Sequence, residues 1–208
     1  MKKEVLLNGV IVGEIESTGV QDRDIELMRE MLKAKGLYKP SSVAKAMFGH
    51  ARAFAATAER LYNEQIVPRA SRSSAAFGPF VVNASFAAEL YLKTISRVYG
   101  AELRGHDLLG LYHQLPPDAA AHINAVAPRC RAKRGIPENT TFEESVERHR
   151  DAFVEWRYVY EKERSSLVQF PVLIYAIEVL HETCRELRAR KALRLSRRSR
   201  YPPCPAWF

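Results

Sequence analysis

Cysteine is scarce in this chain and never closely paired. Cys130, Cys184 and Cys204 are odd in number, widely spaced and form no CxxC. That suggests neither a disulfide framework nor a zinc site. A reducing cytoplasm is the simplest home for such a chain. Long apolar runs are missing too, since none approaches the roughly 18–20 residues of a membrane span, and no membrane partner is expected. The first residues, MKKEVLLNGV, carry an apolar run interrupted by Asn8-Gly9, which argues against a secretory leader. There is no internal repeat. No spacing of His, Cys, Asp or Glu suggests a metal, and no cofactor is expected.

Net charge is also scarce outside one segment. Eight basic residues and one acid, Glu186, fall between Arg185 and Arg200, a local charge of +7 out of the chain's +8. The pI near 9.5 is therefore a property of the carboxy-terminal segment. The rest is nearly neutral, so bulk basicity says little about whether the body binds nucleic acid.

What is present is enough for one domain with additions: 208 residues, 47% of them hydrophobic. Residues 4–16, EVLLNGVIVGEIE, place two β-rich runs around Asn8-Gly9, which predicts a hairpin. A lone hairpin is marginal in water, so this one is expected to pack on something. Asp22 or Asp24 is placed to cap a short helix that ends before Gly36. Ser41 or Ser42 can cap a long helix to about Gln65, on which Val43, Met47, Phe54, Ala58 and Leu61 recur at helical spacing.

After a break rich in Ser, Gly and Pro, Pro79 suits the first turn of a helix that Gly100 stops. Asp107 to Leu115 reads as a short helix, and Pro116-Pro117 opens the next. Residues 128–139, PRCRAKRGIPEN, read as a basic loop. Thr140 or Thr141 with Glu143 or Glu144 gives a capping box for a long helix to about Arg164. A last helix is predicted over about Leu167 to Ala192. The fold class is mostly α, in three parts: residues 1–38 as a β-hairpin plus short helix, 39–192 as a helical bundle, and 193–208 as a basic, flexible tail.

Three segments carry the chemistry. FVVNASFAAELYLKTISRVYG (Phe80 to Gly100) places Glu89 and Lys93 one turn apart on a small-residue helix. RGHDLLGLYHQL (Arg104 to Leu115) places His106-Asp107 at a helix start. AFVEWRYVYEKE (Ala152 to Glu163) carries Arg157 and Glu161. Together they resemble bacterial members of the HEPN superfamily, over about residues 41–190. The resemblance implies an antiparallel helical bundle paired as a homodimer, a pairing that rests on the resemblance and not on any sequence pattern here. It implies RNA cleavage or nucleotide binding, in a phage-defence or toxin–antitoxin setting with an antitoxin or other protein partner. The family's ribonuclease signature is an arginine followed, after four to six residues, by a histidine. None of His50, His106, His113, His122, His149 and His181 has an arginine five to seven positions upstream, so that pair is not carried over.

The local chemistry still offers a candidate. Cleavage by transfer of phosphate to a 2′-hydroxyl needs a base for that hydroxyl and a cation for the phosphorane charge. His106, Arg157 and Glu161 are the candidate catalytic residues of a metal-independent endoribonuclease. Arg150, seven before Arg157, would share its helix face with Arg157 and Glu161. Glu89, Lys93 and Arg150 are candidate binding residues, as are Arg194, Arg197, Arg198 and Arg200, whose cations suit phosphates or an acidic protein. Phe153, Trp156, Tyr158 and Tyr160 can stack bases or fill a core. His181-Glu182 lacks the second histidine of a metalloprotease helix. Two readings stay open: an RNA-cleaving protein with a non-standard site, and a non-catalytic module that binds a nucleotide or a partner protein. In both, the His106, Glu89 and Arg157 charges can equally form a structural polar network.

Overall fold

The computed structural model describes residues 1–7, 9–38, 42–68, 72–159 and 168–198. They divide into two compact units, Met1–Ser42 and Val43–Phe208. The architecture is mostly helical with an amino-terminal two-stranded antiparallel hairpin.

In the first unit, β1 (Lys2–Leu7) pairs with β2 (Val10–Glu16), and a shift of register falls between Val5 and Leu6. Gly9 turns the chain at φ 82°, a left-handed value that costs glycine nothing. α1 (Gln21–Ala34) packs against β2, and Lys35 Nζ donates to the Val12 carbonyl at 2.7 Å. The hairpin thus has the support its size requires. The expected cap is corrected: Val20 occupies the N-cap position and gives no side-chain bond. Asp24 instead gathers the approach to the helix. It accepts from the Thr18 N–H at 2.6 Å, Thr18 Oγ1 at 3.0 Å, Lys3 Nζ at 3.0 Å and the Ser17 hydroxyl.

In the second unit, α2 (Val43–Leu61) runs into a π-helical turn, Tyr62–Ile66. A 3₁₀ turn, Ser74–Ala76, leads into α3 (Phe77–Val98). Pro79 lies in the first turn of α3, and Gly100 follows its end at φ 83°. α3 is the centre of the unit. Phe80, Val81, Ala84, Ala87, Ala88, Tyr91, Leu92 and Ile95 on it are all sealed from solvent, and α2, α7 and α8 pack around it. Burial on several sides makes such a helix apolar around most of its circumference. Together with its 3₁₀ turn it spans Ser74–Val98, and an 18-residue window of it has a mean hydropathy of 1.2; among the described residues it is long and apolar enough to cross a membrane by length and composition, though 56% of that window is buried inside the bundle. The expectation that no segment reaches this length is corrected accordingly.

α4 (Leu108–His113) is capped by Asp107, whose Oδ1 accepts from the Leu109 and Gly110 N–H groups at 3.0 and 3.1 Å. α5 spans Pro117–Arg134, so the loop expected at 128–139 is mostly helix. Pro128 sits inside it, and the turn is confined to the stretch after Gly135, at φ 63°. Burial overrides the local signal: Ile123, Val126, Ala127 and Cys130 form one face in the core, and α5 packs on α8.

α6 (Phe142–Glu147) opens with the anticipated capping box, Thr141 with Glu144. The long helix to Arg164 does not form. The chain turns at residues 148–151 and restarts as α7 (Ala152–Arg157). The Arg150 carbonyl accepts from the Leu108 N–H at 3.0 Å, and the buried His149 ring donates from Nδ1 to the Ser145 carbonyl at 2.8 Å. These bonds hold the turn. α8 (Phe170–Arg198) is longer than expected and extends into the stretch read as tail.

Candidate functional site

The site grows from one buried carboxylate on α3. Glu89 is 2% exposed. A charge so placed must be compensated, and Lys93, one turn along, donates to its Oε1 at 2.8 Å. Nδ1 of His106 lies 3.0 Å from Oε2 and 3.1 Å from Oε1 of the same carboxylate. The His106 side chain itself is 59% exposed, so a solvent-facing imidazole is anchored on an interior acid.

Its backbone is held as firmly. Gly105 supplies φ 104° immediately before His106, where a side chain would be strained. Immediately after it, Asp107 caps α4 and accepts Arg150 Nη2 at 2.6 Å, while Leu108 donates to the Arg150 carbonyl. An ionised carboxylate only accepts, so Nδ1 carries the proton in this pair. That leaves Nε2, which has no partner among the described residues, as the ring's free acceptor.

α7 brings the second half. The Phe153 ring lies 5.9 Å from the His106 ring and stacks on Phe86 at 5.1 Å and 20°. Phe86 in turn meets Phe54 edge-on at 4.7 Å. Arg157, one turn after Phe153, places its guanidinium 5.1 Å from the Phe153 ring centre and 4.7 Å from that of Tyr158. It has no carboxylate partner among the described residues. His106 and Arg157 are thereby gathered about one ring, with the acid that orients His106 beneath.

Other expected members fall elsewhere. Arg150 is committed to Asp107 and to Asp151 at 3.5 Å. Because the helix breaks before α7, it does not share a helical face with Arg157, which corrects that expectation. Glu161, Tyr160 and Arg200 lie outside the described residues. Arg194, Arg197 and Arg198 belong to the last turns of α8, and their side chains lie outside the described set. Trp156 packs into the smaller apolar cluster around Phe80, while Tyr158 is 39% exposed.

Sequence reasoning missed Phe86, whose value as a support for Phe153 depends on a contact between helices. It also passed over His181 except as half of a metal motif. That ring meets Tyr91, with Nδ1 2.8 Å from the phenolic oxygen. A third network joins Tyr99, His122, Glu186 and Arg129 around the buried His122: Nε2 of His122 lies 2.8 Å from Glu186 and Nδ1 lies 3.2 Å from the Tyr99 hydroxyl. Among the described residues no three His, Cys, Asp or Glu side chains gather as a metal-binding group. The chain matches no family model, no curated protein and no solved structure.

Proposed function

We propose that this chain is a HEPN-type, RNA-acting protein of a bacterial defence or toxin–antitoxin system, cleaving RNA through His106 and Arg157. The observation that carries the reading is the Glu89–His106 hydrogen bond. A carboxylate on Nδ1 fixes the tautomer and directs the basic Nε2 outward, as a general base requires. In the proposed step Nε2 takes the proton of a ribose 2′-hydroxyl, and the 2′-oxygen bonds to the adjacent phosphorus. The bond from phosphorus to the 5′-oxygen breaks, that oxygen takes a proton from water, and the hydroxide left takes the proton back from Nε2, so the ring returns to its neutral form. The products are a 2′,3′-cyclic phosphate and a 5′-hydroxyl. Arg157 offsets the charge of the phosphorane, and the exposed Tyr158 ring offers a surface on which a base can stack. A homodimer and an antitoxin partner follow from the resemblance and belong to the same proposal.

The second reading is a non-catalytic module that binds a nucleotide or a partner protein. The absence of the family's Arg–His spacing favours it, and the Phe153–Arg157–Tyr158 group suits stacking without cleavage. Incubation of purified protein with total RNA tests both, with His106→Ala and Arg157→Ala as controls. Cleavage by the wild type alone supports the first reading. Equal cleavage by all three folded proteins removes these residues from the site. RNA or nucleotide binding without cleavage by the wild type favours the second.

A further inference from the structure

α2 and α8 both lie against α3 and leave between them a cleft of about 410 Å³, a volume typical of pockets for small molecules. Its floor is apolar: Ala58, Phe80 and Tyr91 are buried, and Ile174 and Ile177 line the α8 side. The polar groups above that floor are unequally committed. Lys133 Nζ donates to Glu178 at 2.5 Å, and Arg134 pairs with the same carboxylate. Glu182 is taken by Arg185 at 2.8 Å. Arg52 lines the cleft with its guanidinium 6.0 Å from the Phe48 ring centre and no carboxylate partner among the described residues. Glu59 lies two turns further along α2, about 10 Å away along the axis.

His181 adds a second donor, and Tyr91 determines which nitrogen provides it. The Tyr91 phenol is fully buried, and its hydroxyl meets Nδ1 of His181 at 2.8 Å. Burial pushes the acidity constant of Tyr91 far up, so it remains O–H, and burial lowers that of His181, which keeps the ring neutral at neutral pH. Were Nδ1 to carry the ring proton, the tyrosine O–H would be a sealed donor without an acceptor, which buried hydroxyls avoid. Tyr91 therefore donates to Nδ1, and His181 holds its own proton on Nε2. Phe48 packs against both rings, 6.0 Å from Tyr91 and 5.8 Å from His181, and keeps them in register.

One end of the cleft thus offers one uncommitted guanidinium and one neutral N–H, with an apolar floor beyond. Both groups donate, so the matching head accepts. Arg188 also lies over the Phe48 ring, at 4.9 Å, but it is not among the residues that line the cleft; the single unpaired cation of the lining, Arg52, matches a monoanion, whereas a dianionic phosphate would add negative charge beside Glu178 and Glu182. We propose that the cleft between α2 and α8 binds a small monocarboxylate with an apolar body, its carboxylate held by Arg52 and the Nε2–H of His181. The site is separate from the one on Glu89: residues two apart on a helix point about 200° from each other, so Glu89 and Tyr91 serve opposite sides of α3.

The test titrates the full chain with phenylacetate, hexanoate and phenyl phosphate, following the His181 ring nitrogens by NMR and the heat of binding by calorimetry. The expected result is an Nε2–H tautomer in the free protein, a shift of the His181 resonances on adding either carboxylate, and weaker binding of phenyl phosphate. Arg52→Gln, a change on an exposed side chain that leaves the fold intact, lowers carboxylate affinity about tenfold or more, and His181→Phe does the same. An Nδ1–H tautomer, unmoved His181 resonances with both carboxylates, or affinity unchanged in Arg52→Gln overturns the site. Tighter binding of phenyl phosphate overturns the choice of carboxylate.

Discussion

Both oxygens of the Glu89 carboxylate lie within 3.1 Å of Nδ1 of His106, although one side chain is interior and the other solvent-facing. Glu89 must also satisfy Lys93, so the carboxylate serves two donors at once. Glu89→Gln keeps the shape but gives the side chain one acceptor and one donor. The amide then faces either His106 or Lys93 with a mismatched group. If His106 is the base, RNA cleavage by Glu89→Gln falls about a hundredfold, and the ring nitrogens of His106 report a mixed tautomer population by NMR. Cleavage at the wild-type rate would mean that Glu89 does not orient the base.

Asp107 performs two tasks next to His106, capping α4 and holding Arg150. Loss of an N-cap costs about 1–2 kcal/mol, whereas an exposed ion pair contributes less than about 1 kcal/mol. Asp107→Ala is therefore expected to lower the urea midpoint more than Arg150→Ala. Burial works to raise the Asp107 acidity constant, but the Gly110 N–H, Arg150 and the Leu109 N–H together hold it below the ordinary value of 3.8. A depressed carboxyl stabilises the fold above that value and loses its effect as pH falls through the folded value. The gap between wild type and Asp107→Ala should close below pH 3.8, and a gap independent of pH would contradict the assignment.

Several local signals were legible, although the cap expected at Asp22 or Asp24 was not. The Thr141–Glu144 box, the Asp107 cap, the Asn8-Gly9 hairpin and the stop at Gly100 each depend on residues within a few positions. The break between α6 and α7 was not legible, because the Arg150 carbonyl is drawn to Leu108, 42 residues before it in the chain. The basic loop at 128–139 was misread for a related reason: proline and charge are local, while the burial of Val126, Ala127 and Cys130 is not. The site was legible as residue types on three segments. Its arrangement about Phe153 required the contact with Phe86, which no spacing encodes.

Pro128 offers a direct measure of that override. It lies inside α5 on an exposed position, lacks an N–H for the Asn124 carbonyl, and crowds that carbonyl. Pro128→Ala restores the bond at the expense of a more flexible unfolded chain. The expected outcome is a net gain of about 1–2 kcal/mol in urea unfolding, since interior proline costs about 3 kcal/mol and its entropic benefit is smaller. A loss of stability would show that the helix has adapted to the proline.

Cys130 and Cys184 are both buried free thiols. Burial pushes the acidity constants of both upward, that of Cys184 most strongly, so the nucleophilic thiolate is suppressed. Peptide mapping after brief alkylation at neutral pH should find both residues unmodified in the native protein and both modified after denaturation. Rapid labelling of Cys184 in the native state would contradict the packing of α8 on Tyr91, whose carbonyl lies 3.9 Å from the sulfur.

His149 connects the same burial to pH. The ring is 2% exposed, and burial lowers its acidity constant from 6.5, with the carbonyls of Ser145 and Gln169 working the other way and Arg148 adding to the effect. Burial moves His181 in the same direction. A histidine whose constant is depressed in the fold takes up its proton first in the unfolded chain. Stability is then complete above 6.5 and declines as pH falls through the window below it. This window lies above that of the carboxylates, so the histidines can be read separately. Urea midpoints of the wild type should fall as the pH drops below 6.5, more shallowly in His149→Asn and most shallowly when His181→Phe is added. An equally steep fall in the double variant would place the acid sensitivity elsewhere in the bundle.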